Sequence, residues 1–476
     1  MSEETTPQKA ALYAEKQKIY PQKIAGRFRT LKWKIMGWIF AFYFLAPWIR
    51  WDRGEGQPDQ AILASLELRR LYLFNIEIWP QEIYYLTGLL VLAAVGLFLA
   101  TAMAGRVWCG FTCWQTVWTD FYVWIEEKIE GDRNKRMRLD QGPWTGEKVV
   151  KKTVKHILWI FVSALTGMGF LFFFNDAPTT FMEIVTAQGS LETYGFAALF
   201  AGTTYLFAGI TREDICIYMC PWPRFQGAMF DEHSLLVTYE AWRGEPRGKA
   251  KQKVDKSQGD CVDCNLCVNV CPTGIDIRDG DNFKCIGCAL CVDACNSVMT
   301  KLGRPLELVT YDSSSNQMAR ERGLPAKKRL IRRRTIGYGS FLAAILLLMA
   351  FGLSTRSELE INVQRDRAPL FVPLSTGDIQ NGYTFKLLNM INTPQSFTMS
   401  IANMPAATMT VIGVADTPVK DVQLTVAPDQ VATYRIFVRA PRDSLSGKFQ
   451  DIVFRLQPEE NGAPVDYTTQ FAGPDK

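Results

Sequence analysis

The chain has 476 residues, of which 48% are hydrophobic, 12% aromatic and 21% charged. This excludes a disordered chain, a collagen and a coiled coil, and leaves room for about three domains. A net charge of +5 is too small to argue for nucleic acid, and two His against twelve Cys exclude a histidine-rich metal or multi-haem site.

Residues 1–30 are polar and are expected to form a cytoplasmic segment without a cleavable signal. Five apolar runs follow: Ile35–Ile49, Ile83–Met103, Ile157–Phe174, Tyr194–Ile210 and Ile336–Leu353. An uncharged run near 20 residues crosses a hydrocarbon core of about 30 Å as a helix. The first run is shorter, and gains length if Lys32 and Lys34 snorkel. The expected organisation is a transmembrane region over 31–215 with four helices, a cytoplasmic segment over 216–335, a fifth helix over 336–353 and a further domain over 358–476.

Orientation follows from basic residues in the loops. Residues 1–34 carry eight Lys and Arg, residues 104–156 carry ten and residues 175–193 carry none. The N-terminus and the 211–335 segment are therefore expected in the cytoplasm, and the C-terminal domain outside a bacterial inner membrane. All twelve Cys lie between 109 and 295, on the reducing side.

Cys109 and Cys113 follow the second run, and Cys216 and Cys220 follow the fourth. Both pairs are C-x3-C, so helical continuation of each span puts two thiols on one face. The four thiols are candidate redox or metal ligands, for copper, for a further cluster or for nothing, with Met219 as an extra thioether. Trp108, Trp114, Trp118 and Trp222 read as an interfacial belt. Arg106, Asp120, Arg212, Asp214, Asp231 and His233 read as interfacial charges. His156 reads as an interfacial residue rather than a haem ligand.

The strongest signal is C-x2-C-x2-C-x3-C, present at 261–271 and again at 285–295. This is the ligand run of a bacterial two-cluster ferredoxin, in which the fourth Cys of each run serves the other cluster. Cys261, Cys264, Cys267 and Cys295 are expected to hold one [4Fe–4S] cluster. Cys285, Cys288, Cys291 and Cys271 are expected to hold the second, within a domain over about 250–305.

From about 358 onward, seven short alternating segments between 382 and 472 are bounded by turn residues. They predict an immunoglobulin-like sandwich without its usual disulfide. The fold class is thus a multi-domain membrane protein. It has about five transmembrane α-helices, a ferredoxin-like α+β domain and a C-terminal all-β sandwich.

Together, the WCGFTCWQTVWTD and CIYMCPWPRFQGAMFDEHSL motifs, the GDCVDCNLCVNVCPTGIDIRDG run and the sandwich resemble the FixG/RdxA/CcoG family of cytochrome c oxidase accessory proteins. Trp114 stands where that family usually has Pro, which removes a helix-breaking signal after Cys113; Pro221 is present in the second motif. The resemblance implies assembly of a cbb-type oxidase and reduction of Cu(II) to Cu(I) as substrate ion. It implies copper chaperones and oxidase assembly proteins as partners. Cys109, Cys113, Cys216 and Cys220 become candidate copper residues. Two alternatives stand beside this: a quinol-linked electron-transfer subunit, and a non-enzymatic assembly scaffold. The electron donor, a quinol or a cytoplasmic reductant, is not named by the sequence.

Overall fold

The computed structural model describes residues 18–474, except 55, 250–257, 281, 357–358, 391–392, 429 and 460–463. The first 17 residues of the expected N-terminal segment and the start of the expected ferredoxin domain lie outside the described residues. The chain divides into two units, 1–349 and 350–476.

In the first unit, α1 (Arg27–Leu45) leads to a three-stranded antiparallel sheet of β1 (Ile62–Ser65), β2 (Arg70–Leu73) and β3 (Ile76–Ile78). Then come α2 (Ile83–Ala104), α3 (Trp114–Glu130), α4 (Arg133–Gln141), α5 (Gly146–Leu171), α6 (Ala177–Val185), α7 (Leu191–Thr204) and α8 (Trp222–Met229). Side chains of Asp132, Thr145, Asp176 and Ser190 cap α4 to α7 by accepting orphan backbone N–H groups. The cysteine-rich stretch lies between β4 (Leu236–Tyr239) and β5 (Val309–Asp312), which pair antiparallel. Around and within it are α9 (Ala241–Gly244), α10 (Leu266–Asn269) and α11 (Leu290–Leu302). α12 (Ser314–Glu321) and α13 (Arg333–Ser354) follow.

Among the described residues, four helical stretches are long and apolar enough to span a bilayer: Pro80–Ala104, Gly146–Leu171, Leu191–Thr211 and Arg333–Ser354. Leu347, Leu348 and Phe351 of α13 are exposed, as are Ile83 and Leu90 of α2. Helices that leave apolar side chains outward in this way belong in lipid. The first expected run, Ile35–Ile49, is not among the four. Its helix opens with Arg27, Arg29, Lys32 and Lys34 and closes at Leu45, one residue before the turn containing Pro47. Lys32 does not snorkel to solvent: it is 2% exposed and faces Asp120 of α3 at 3.6 Å.

The second unit is a two-sheet sandwich. One sheet has the order β11 (Ala415–Val419), β10 (Thr408–Val411), β13 (Val431–Ala440), β8 (Ile379–Asn389), β6 (Leu359–Arg365), with β7 (Val372–Pro373) also on β8. The other has the order β12 (Asp421–Val426), β9 (Gln395–Ile401), β14 (Phe449–Pro458), β15 (Val465–Ala472). Alternation drives the burial: Tyr383, Phe385 and Leu387 face inward against Phe454, Leu456 and Phe471. Each of the seven expected segments contains a strand; the one over 408–415, expected as a single strand, instead turns at 412–414 from β10 into β11, and β6 and β7 extend the first sheet.

Candidate functional site

The two cysteine runs fold alike. In each, the residues two and four places after the first Cys take left-handed backbone: Asp263 and Asn265 in one, Gly287 and Ala289 in the other. Asn and Asp tolerate this conformation, but Ala289 at φ 56° carries a cost of about 1–2 kcal/mol. Alternation of left- and right-handed residues turns successive N–H groups toward one concavity that favours anions. Gly287 N–H points at Cys285 Sγ at 3.4 Å.

Two small hollows result, matched at about 20 Å³ each. Cys261, Cys264, Cys267 and Cys295 line one. Cys271, Cys285, Cys288 and Cys291 line the other, with Cys267 also reaching its wall. The fourth Cys of each run thus stands beside the other run's first three. Among the described residues, no three Cys, His, Asp or Glu gather tightly enough for a single metal ion. One zinc, with bonds of about 2.3 Å, would hold its sulfurs within about 4 Å of each other. Four thiols around a hollow fit a multi-iron cubane instead. Burial pushes the Cys288 and Cys295 thiols up to about 12 and Cys267 to about 11. Loading with metal must therefore displace protons.

The membrane-edge motifs are a structural repeat. α2 is broken at Gly105 (φ 57°, ψ −126°), and the fourth span is broken at Arg212 (φ 41°, ψ −111°). Each break lies four residues before the first Cys of a pair. The first Cys of each pair lies in a π-helical turn, Trp108–Thr112 and Ile215–Met219, and the second Cys caps it. Cys113 N–H bonds Trp108 O at 2.9 Å, and Cys220 N–H bonds Ile215 O at 2.8 Å. Both second cysteines swing to extended ψ, 129° and 120°, before a new helix begins. This corrects two expectations. The thiols do not sit on a continuing α-helix, and Trp114 does not let the helix run on.

The two turns set their thiols near one another, so that an ionised Cys113, Cys216 or Cys220 would oppose ionisation of Cys109. Burial pushes Cys109 and Cys216 up to about 12, and Cys220 is exposed. Cys109 Sγ also approaches Gln226 Oε1 of α8 at 3.4 Å.

This thiol group adjoins the second hollow. An added Cβ on Gly110 would lie 2.9 Å from both N and Cα of Cys288. Buried Arg106 donates to the carbonyls of Phe283 and Cys285, both at 2.6 Å, and to Pro223 O at 3.1 Å. One guanidinium therefore ties a cysteine loop to both membrane-edge motifs. Asp293, between Cys291 and Cys295, accepts the backbone N–H groups of Phe28 at 3.2 Å and Arg29 at 2.8 Å, fixing the start of α1.

Several flanking charges are structural rather than interfacial. Arg212 is held in its strained conformation by Glu126 at 2.9 Å and Gly209 O at 2.8 Å. Glu126 also meets Arg136 at 3.3 Å and Lys155 at 3.4 Å. Burial pushes the Glu126 carboxyl up, but Arg212, Lys155 and Arg136 outweigh it and hold it at about 2. Asp231 pairs with Arg332, and His156 Nδ1 lies 2.8 Å from Tyr205 Oη. Trp118 is not a belt residue: it is buried against Phe40 and Tyr43 and donates to Thr166 Oγ1 at 2.9 Å.

Three family models match the chain: a 4Fe-4S binding domain over residues 86–131, a 4Fe-4S dicluster domain over 211–314, and the IG-like fold at the C-terminal of FixG over 349–474. "Nitrogen fixation protein FixG" of Rhizobium meliloti is 45% identical over 460 residues, covering 90% of this chain and 88% of that protein. "Protein RdxB" of Cereibacter sphaeroides is 42% identical, covering 98% of both chains. "Protein RdxA" of the same organism is 42% identical, covering 95% and 96%.

Proposed function

Because the chain belongs to the FixG/RdxA/CcoG family of membrane iron–sulfur proteins, we propose that it reduces Cu(II) to Cu(I) during assembly of a cbb-type oxidase. Cys261, Cys264, Cys267 and Cys295 hold one [4Fe–4S] cluster, and Cys271, Cys285, Cys288 and Cys291 hold the other. When bound, these clusters store single electrons, the unit that cupric ion needs. Cys109, Cys113, Cys216 and Cys220 receive the copper two thiols at a time, since no three of them gather tightly enough for one ion and Cu(I) is satisfied by two thiolates. Thiolates favour Cu(I) as soft ligands, so binding there favours reduction.

The observation that carries this reading is the contact of Gly110 with Cys288. It sets a copper-affine thiol group directly beside a cluster loop. α1 is read as a fifth span, since Trp38, Phe42 and Leu45 are exposed along it. The cysteines then face the cytoplasm of an inner membrane and the sandwich lies outside, where it docks oxidase assembly proteins or copper chaperones.

The test uses purified protein, reduced with dithionite and desalted without oxygen, mixed with Cu(II) and a Cu(I)-specific chelator. Cu(I) should form in proportion to the electrons stored. Cu(I) at only the protein-free rate contradicts the proposal.

A further inference from the structure

A cavity of about 290 Å³ lies between residues 21–24, α1, α3 and the cysteine loops. Cys216 forms part of one wall, and Pro272, Ile286 and Leu290 of the loops form another. It therefore borders both thiol systems at once. Apart from Cys216, none of its lining residues is assigned to iron–sulfur ligation or copper binding.

Its chemistry is unusual for a membrane edge. Lys32, 2% exposed, lines it, and its ammonium meets Asp120 at 3.6 Å, beyond ordinary hydrogen-bond length. A buried ammonium costs several kcal/mol in lost hydration and calls for good partners. Arg29 Nη1 donates to both oxygens of Asp120 at 2.8 Å, which leaves each oxygen a second lone pair for a ligand. The indoles of Trp33 and Trp124 meet edge to face at 5.8 Å and supply flat apolar wall. Gln115, Thr116 and Thr119 add hydrogen-bonding groups.

Lys23, Arg29, Lys32 and Arg212 on this wall are nearly balanced by Asp120, Glu127 and Glu213, and the buried Lys32 ammonium suits a ligand whose oxygens carry or develop negative charge. Flat aromatic wall suits a ring. The volume, at the low end for ligand sites, takes one or two fused rings but not a dinucleotide. We propose that this cavity binds the headgroup of a membrane quinol as electron donor, with Lys32 and Asp120 holding its oxygens and Trp33 and Trp124 enclosing its ring. The inference rests on the reading above and names its reductant. Oxidation of the quinol to quinone releases two electrons and two protons: two bound clusters, held by the eight loop cysteines, would take one electron each, and Asp120 and Glu127 lie on the wall to carry the protons toward water.

The test is photolabelling of the full-length iron-loaded protein in lipid nanodiscs with an azido-ubiquinone, competed by ubiquinone-1 and mapped by mass spectrometry. Label should fall within residues 21–33 and 115–127. Filling the cavity with Thr119→Phe should weaken competition by ubiquinone-1 about tenfold, or about 1.4 kcal/mol. Lys32→Gln should do the same, and Thr119→Phe keeps the test valid if loss of Lys32 impairs folding. Iron content and Cu(I) formation after dithionite reduction should be unchanged in Thr119→Phe. Label elsewhere, label uncompeted by ubiquinone-1, or label displaced by FMN but not by ubiquinone-1 overturns the inference. Failure of the dithionite-reduced wild type to form Cu(I) instead overturns the function and leaves the quinone-binding result to stand alone.

Discussion

Gly110 lies so close to Cys288 that no side chain fits between them. The relationship joins a membrane-edge turn to a cysteine loop 178 positions further along the chain. Arg106 reinforces it by bonding the carbonyls on either side of the loop's start. Close backbone approach is where glycine is needed, and here it serves contact between two thiol systems rather than a tight turn.

Gly110→Val therefore separates the two systems while leaving every thiol in place. The variant should keep wild-type iron content and form Cu(I) at least about tenfold more slowly, equivalent to about 1.4 kcal/mol on the barrier. Chemical iron analysis and chelator kinetics measure both. Wild-type kinetics would show that the contact does not matter for transfer.

Cys264→Ser and Cys288→Ser address different hollows. Each should lower iron from about eight per chain toward about four, with partial loss of the iron–sulfur absorbance. An unchanged iron count in either variant would refute that ligand assignment.

The buried Glu126 cluster makes an acid-sensitive support for the strained Arg212 turn. Its folded carboxyl titrates at about 2 against 4.5 for the ordinary group. A depressed folded pKa contributes stability that is fully present above the ordinary value and is lost as pH falls through 4.5 toward 2. The contribution is on the order of 3 kcal/mol. Glu126→Gln should melt lower at pH 7, with the mutant and wild type converging below pH 4. Parallel melting curves at all pH values would remove Glu126 from this role.

Topology has a parity test. A reporter fused after Lys476 should read as periplasmic if α1 crosses the membrane together with the four long apolar helices. A cytoplasmic reading would mean that an even number of spans precedes the sandwich.

The cysteine runs and the sandwich were legible because their signals are local. C-x2-C-x2-C-x3-C sets a loop within eleven residues, and inward alternation at Tyr383, Phe385 and Leu387 is visible along one strand. The membrane-edge geometry was not legible. Trp114 hides the break after Cys113, since the break comes from the ψ of Cys113 and not from proline. The pairing of Lys32 with Asp120 spans 88 positions, so Lys32 reads as a snorkelling residue until α1 and α3 are set side by side. Likewise Arg106 finds its acceptors 177 and 179 residues away. Such contacts belong to the tertiary fold and leave no periodic trace.

The most direct measurement is stopped-flow absorbance of the reduced protein mixed anaerobically with Cu(II), with a Cu(I) chelator as second readout. The wild type is compared with a variant carrying Ser at Cys109, Cys113, Cys216 and Cys220. Fast reoxidation of the iron–sulfur absorbance, matched electron for electron by Cu(I) and lost in the variant with its iron intact, is the predicted result. Reoxidation that is independent of copper, or equally fast without the four thiols, would contradict copper reduction at this site.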